Sequence, residues 1–157
     1  MRIPRIYLET SVFNFVFADD APDKKADTLK LFEEIKQGKY QAFTSNYVID
    51  ELDRTQEPKR SNMNNLIKRY DIKVLLGNAE TERLADIYVA EKIIPAKYAD
   101  DALHIATASV LGLDVIVSWN FKHIVKLKTI RMTESINLKE GYRRILINSP
   151  TEVIDYE

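Results

Sequence analysis

Asp114-Val115-Ile116-Val117-Ser118-Trp119 is the strongest strand signal in the chain, and the residues before it, from about Asp100 to Leu111, read as a helix stopped by Gly112. A short, wholly apolar strand directly after a helix is the pattern of a strand buried on both faces of a sheet. Working outward, the same alternation recurs. Ile6-Tyr7-Leu8 reads as a buried strand near the N-terminus, and Gln41 to Thr44 and Ile72 to Leu76 as two more. Between them, Asp23 to Gln37 reads as a helix with Ala26, Leu29, Phe32 and Ile35 on one stripe and Gly38 as its C-terminal stop. Ser45 is placed to cap a helix carrying Val48, Ile49 and Leu52; Lys59 to Tyr70 has helical spacing; and Asn78 caps a helix through Leu84, Ile87, Tyr88 and Glu91. The expected fold is α/β, three layers around a mostly parallel central sheet. Ser149-Pro150-Thr151-Glu152 is a capping-box pattern that predicts a short terminal helix and an ordered C-terminus.

Composition bounds what such a fold does. With 157 residues and 45% hydrophobic composition, the chain suits a single domain over residues 1–157. It has no cysteine, which excludes disulfides and thiolate metal sites. No apolar run approaches the roughly 18 residues that span a bilayer, and no leader is visible, so the expectation is a cytoplasmic protein without a membrane partner. A net charge of -1, from 23 Lys+Arg against 24 Asp+Glu, argues against nucleic-acid binding by overall charge. A local basic rim remains open, because phosphate contacts depend on local charge. Its candidates are Arg54, Lys59, Arg60, Lys122, Lys126, Lys128, Arg143 and Arg144, each of which also reads as an ordinary solvated charge.

The chemistry-bearing residues follow from the strands. In open parallel sheets, ligands bind in the crevice beyond the strands' carboxyl ends. Glu9 follows the first strand, Glu51 sits on the helix after the second, Asp101 lies near the start of the helix beginning at Asp100, and Asn120 follows Ser118-Trp119. Clustered hard oxygens call for a hard cation such as Mg2+, with Mn2+ more tolerant of geometry. Singly, each has a plainer reading: Glu51 as an exposed helix residue, Asp100 or Asp101 as a cap, Asn120 as a turn residue. The residue types alone leave open which of Asp100 and Asp101 is the cap and which the ligand. Thr10 and Ser11 could bond the carboxylates or a phosphate, or serve only the turn after the strand. His104 shares a helical face with Asp101 but reads first as a satisfied, partly buried side chain, and Tyr88, Tyr98 and Trp119 read as core.

Together, Tyr7-Leu8-Glu9-Thr10-Ser11-Val12, the Glu51 helix, Asp101-Ala102-Leu103-His104-Ile105-Ala106-Thr107-Ala108 and Val117-Ser118-Trp119-Asn120-Phe121 resemble a PIN domain of the VapC-like branch in order and spacing. The resemblance covers most of the chain. It implies a Mg2+- or Mn2+-dependent endoribonuclease, the toxin of a toxin–antitoxin pair, with Glu9, Glu51, Asp101 and Asn120 as catalytic metal-site residues and Thr10 and Ser11 behind them or on the substrate. The partners it implies are RNA, an antitoxin protein and a second copy in a homodimer. Glu9 stands where the family has aspartate, keeping both oxygens and adding a methylene, and His123 stands where many relatives have aspartate. His123 reads as a surface residue, a phosphate contact or a ligand for a softer ion. Two other readings stay open: a catalytically weakened PIN scaffold that binds RNA or protein, and a receiver-like phosphate acceptor. The latter lacks the required aspartate and lysine at its strand ends.

Overall fold

In the computed structural model, which describes residues 2–155, five strands run side by side and all parallel: β1 (Arg5–Leu8), β2 (Gln41–Ser45), β3 (Lys73–Leu75), β4 (Val115–Val117) and β5 (Leu146–Asn148). Their order across the sheet is β3-β2-β1-β4-β5. Ile6 of β1 lies opposite Ala42 on one side and Val115 on the other. Parallel neighbours require crossovers, and helices supply them, covering both faces of the sheet. That is why Ile6, Tyr7 and Leu8 are all 0% exposed and β4 is buried throughout.

The helices are α1 (Thr10–Phe15), α2 (Pro22–Lys36), α3 (Asn46–Asp53), α4 (Lys59–Arg69), α5 (Ala79–Ala90), α6 (Ala99–Val110), α7 (Leu127–Glu140) and α8 (Pro150–Val153). Local chemistry sets several ends as expected. Ser45 accepts the Tyr47 N–H at the start of α3, Asn78 and Thr81 form a capping box on α5, and Ser149 and Glu152 form another on α8. Gly38, at φ 82°, follows α2 in the left-handed conformation that glycine adopts without a Cβ clash. From β1 the chain winds outward through β2 to β3, then returns to lay β4 on the other side of β1. The winding direction reverses there, and a crevice opens above the ends of β1 and β4.

Four expectations are corrected. On α2, Ala26 and Leu29 are exposed and the buried face is Thr28, Leu31, Phe32 and Ile35. An every-third-residue pattern slips by about 60° per step on a helix of 3.6 residues per turn, so it cannot stay on one face. Trp119 locks the observed face by donating from Nε1 to Thr28 Oγ1 at 2.8 Å. Asp100 is not a cap: α6 starts at Ala99 after a single 3-10 turn (Ala96–Tyr98), and Asp100 faces out to pair with Arg54 at 3.6 Å. Thr10 and Ser11 sit in α1, not in a turn. Tyr98 is only partly buried, whereas Tyr88 and Trp119 are core.

Three elements, α1, α7 and β5, lie beyond those read from sequence. The buried face of α7 is Thr129, Thr133 and Asn137, a polar stripe that no hydrophobic period reveals. Asn137 joins the core by accepting from Tyr88 OH at 2.5 Å and donating to Ser109 Oγ at 2.9 Å. The expectation of an ordered C-terminus extends to Tyr156 and Glu157, which lie outside the described residues.

Candidate metal centre

Glu9 is the residue at which β1 becomes α1. Its backbone is extended, its N–H bonds to the Val117 carbonyl at 3.1 Å, and its side chain does not cap the helix. The carboxylate is therefore free to turn into the crevice between β1 and β4, where it is 5% exposed. Ser11 and Ser118 hydroxyls both donate to its Oε1, each at 2.6 Å. Those hydroxyls are themselves held, Ser11 Oγ by the Trp119 N–H at 2.8 Å and Ser118 Oγ by the Asn120 N–H at 2.9 Å. Two strand ends are thus stitched around one carboxylate oxygen, and among the described residues no cation pairs with it.

Glu51 comes from α3, just past β2. Its Oε1 meets His104 Nε2 at 2.5 Å, and His104 is fully buried on α6. On its other side, His104 Nδ1 is 2.7 Å from Tyr7 OH, which is 2.7 Å from Ser45 Oγ, the cap of α3. Burial alone would raise the Glu51 pKa, but the His104 hydrogen bond and charge outweigh it, and the net direction is downward. Burial alone would likewise lower His104, and its bond to Glu51 outweighs that, raising it above its ordinary value. Both shifts favour the charged forms, and in those forms His104 donates from Nε2 to Glu51 and from Nδ1 to Tyr7, whose hydroxyl then donates to Ser45 Oγ.

Asp101 sits on the first turn of α6, one turn before His104. Burial, and then the negative charge of Glu9, push its carboxyl up to about 6. Asn120 Nδ2 donates to its Oδ2 at 3.2 Å, while Asn120 Oδ1 accepts the His123 N–H at 2.9 Å. Asn120 thus reaches the crevice chiefly by holding Asp101. Ser11 holds Glu9, and the buried Thr10 hydroxyl lies beside Glu51, where it favours the ionised carboxylate. His123, read first as a surface residue, is partly buried, with its ring on that of Tyr98 at 4.2 Å between centroids.

Glu9, Glu51 and His104 each offer a ligand atom within 4.8 Å of the others. Because both nitrogens of His104 are already bonded, it serves as the residue that aims Glu51. A divalent cation fits this donor set on chemical grounds. Buried carboxylates are stable only when paired or bound to metal, yet Glu9 is held by neutral hydroxyls alone and Asp101 is driven toward protonation. Ser118→Ala should therefore lower divalent-cation affinity by about 10-fold, the lower end of the range for partners that orient a metal ligand. Isothermal titration with Mn2+ reads this directly.

Glu9 follows β1, Glu51 lies on the helix after β2, Asp101 is in the first turn of α6 and Asn120 follows β4, whereas the groups that orient them were not legible in the sequence. Ser118 was visible only as part of a strand. His104 was visible as sharing a face with Asp101, while its bond to Glu51 was not. Tyr7 and Ser45 gave no local signal beyond strand and cap.

Comparison with known proteins fits this geometry. A family model described as PIN domain matches residues 6–123. The structure is similar in fold to VapBC2 from Rickettsia felis bound to a DNA fragment from its promoter, with a TM-score of 0.57, 14% identity, and coverage of 92% of this chain and 98% of that one. It is also similar to VapBC-1 from nontypeable Haemophilus influenzae, with a TM-score of 0.58, 14% identity, and coverage of 94% and 98%. No curated protein sequence matches. Among the described residues no helix is long and apolar enough to cross a membrane. With most of its length matched by the family model, the chain belongs to the PIN domain family.

Proposed function

We propose that the protein is a divalent-metal-dependent endoribonuclease that hydrolyses RNA phosphodiester bonds and acts as the toxin of a toxin–antitoxin pair. The observation that carries this reading is the uncompensated negative charge of Glu9 and Asp101 in the crevice above β1 and β4. Similarity in fold to two VapBC structures supports an antitoxin partner; a second copy of the chain is part of the proposal. Glu9, Glu51 and Asp101 would hold Mg2+ or Mn2+. Such an ion lowers the pKa of a bound water and offsets charge developing on the phosphate.

The chain's own residues do the rest. Ser11 and Ser118 fix one oxygen of Glu9 and leave the other directed into the crevice. His104 keeps Glu51 ionised and aimed, and Asn120 turns Asp101. Thr10, whose buried hydroxyl lies beside Glu51 and favours its ionised form, helps hold that carboxylate ready for the ion.

Cleavage of a single-stranded RNA should require Mg2+ or Mn2+ and stop in EDTA. Glu9→Asp tests the site further. The two 2.6 Å hydroxyl bonds show a backbone already fitted to the longer side chain, so shortening it withdraws the carboxylate from Ser11 and Ser118. Activity should fall by about 10- to 100-fold, with the larger loss in Mg2+, whose geometry is stricter. Activity equal to or above wild type in Glu9→Asp would refute the fitted-site account. No cleavage by wild type with either ion would leave the RNA- or protein-binding scaffold.

A further inference from the structure

Beside the acidic crevice, the loop around Lys92 to Ala96 and the segment from His123 to Lys128 enclose a cavity of about 500 Å3. Its rim carries Lys92, Lys126, Lys128 and His123, and no carboxylate lines it. Its apolar floor is Ile93, Ile94 and Pro95, of which the two isoleucines are buried. Among the described residues, none of the three lysines has an ion-pair partner. Other basic residues of the chain are committed elsewhere: Arg54 to Asp100, Arg60 to Glu57, Arg143 to Asp114 and Arg144 to Glu134. Like charges around one concavity focus a positive potential into it.

Three further features mark the cavity. α7 begins at the rim with Lys126 as its N-cap residue, no side-chain cap and no acidic residue in its first turn. Its first backbone N–H groups therefore lack the anion that a helix N-terminus favours. His123 Nε2 is buried without a hydrogen bond, although its ring is fixed against Tyr98; a buried polar atom of this kind calls for a partner. Lys92 adopts φ 61°, the left-handed position after a helix where glycine is least strained, so the chain holds a lysine there at a conformational cost.

Both walls run directly into the crevice. Pro95 leads through the 3-10 turn Ala96–Tyr98 into the first turn of α6, which carries Asp101, and the His123 N–H is bonded to Asn120. This continuity favours the strand being cut over a separate protein partner as the occupant.

Resting on the ribonuclease reading, we infer that the cavity is a phosphate subsite for the RNA substrate. Lys92, Lys126, Lys128 and His123 Nε2 hold a backbone phosphate away from the scissile one, and the adjoining sugar or base edge lies on Ile93, Ile94 and Pro95. The site sets which part of a single strand is presented to the acidic crevice.

The test is binding of a fluorescein-labelled twelve-nucleotide single-stranded RNA to the full chain in EDTA, so that affinity is read without cleavage, at several salt concentrations. Lys92→Ala/Lys126→Ala/Lys128→Ala should weaken binding by at least about 10-fold and flatten the slope of log affinity against log salt by about 0.7, the value for one single-strand phosphate no longer neutralised. Should the triple variant melt early, Lys126→Gln and Lys128→Gln singly, at exposed positions, carry the same expectation in smaller measure. Unchanged affinity and slope, with wild type binding and cutting RNA, overturn the subsite and leave the ribonuclease reading intact. A variant that keeps its RNA affinity but loses binding to a polyglutamate peptide overturns it in favour of an acidic protein partner. Wild type that neither binds nor cuts RNA overturns both readings.

Discussion

Asp101→Asn should abolish metal-dependent RNA cleavage while making the metal-free protein more heat-stable. Removing a carboxylate that holds the ion should lower the rate at least about 100-fold, the equivalent of roughly 3 kcal/mol of transition-state stabilisation. The stability gain follows from the sign of the shift. In the folded protein the Asp101 carboxyl is raised to about 6 from 3.8, by burial first and Glu9 second, so folding is favoured while it is protonated. That advantage is lost as pH rises from about 4 to about 6, and at neutral pH the ionised form is a net burden. A shift of this size would correspond to about 3 kcal/mol, which partial exposure reduces to about 1–2 kcal/mol. In EDTA at pH 7, Asp101→Asn should melt about 3–6 °C above wild type. Saturating Mn2+ should raise the wild-type melting temperature and leave the variant nearly unmoved. A variant that melts lower in EDTA would show that Asp101 is not under electrostatic strain.

His104→Ala should be the most destabilising single change at the site. It strands the Glu51 carboxylate and the Tyr7 hydroxyl and opens a void in a residue position that is 0% exposed. Breaking a buried pair by deleting one partner costs about 3–5 kcal/mol, and Glu51's partial exposure places this case near about 3 kcal/mol. Urea denaturation of the metal-free protein measures it. The pair's pH dependence has two arms, of which the His104 arm runs in the same direction as that of Asp101 and the Glu51 arm in the opposite one. His104, raised above 6.5, stabilises below that value and loses its contribution as pH rises through the folded pKa; Glu51, lowered below 4.5, loses its contribution as pH falls through its own. Metal-free wild type should consequently be more stable near pH 5 than near pH 8, and His104→Ala should remove the alkaline part of that fall. Equal stability of His104→Ala and wild type would mean that the pair contributes nothing net.

How much of this was legible in the sequence depended on where each residue's partner lies. β1 and β4 were readable because burial on both faces leaves continuous apolar runs, and Ser45, Asn78 and Ser149 because a cap bonds within three residues of itself. α7 escaped because Thr129, Thr133 and Asn137 make its buried face polar, and β5 because it is an edge strand with Leu146 left 45% exposed. Glu9, Glu51, Asp101 and Asn120 could be assigned by their resemblance to a family pattern, since no one of them has a local signature. The hydroxyls and rings that aim them could not. Ser118 meets Glu9 across 109 positions and Tyr7 meets His104 across 97, and such pairings exist only once the sheet is assembled.

The order of strands in the sheet bears on the protein's own synthesis. β1 has as one of its two neighbours a strand made more than a hundred residues after it, with Ile6 opposite Val115. Glu9 and Glu51 are translated early, but the wall that closes around Glu9 arrives only with Ser118. A chain stalled before that point holds half of the centre, with the Glu9 carboxylate open to water and no crevice in which to work. Closing so long a loop is also the slow, non-local step of folding. Assembly of the centre is therefore coupled to synthesis of β4 and Ser118, and a chain that ends before them cannot enclose the Glu9 carboxylate.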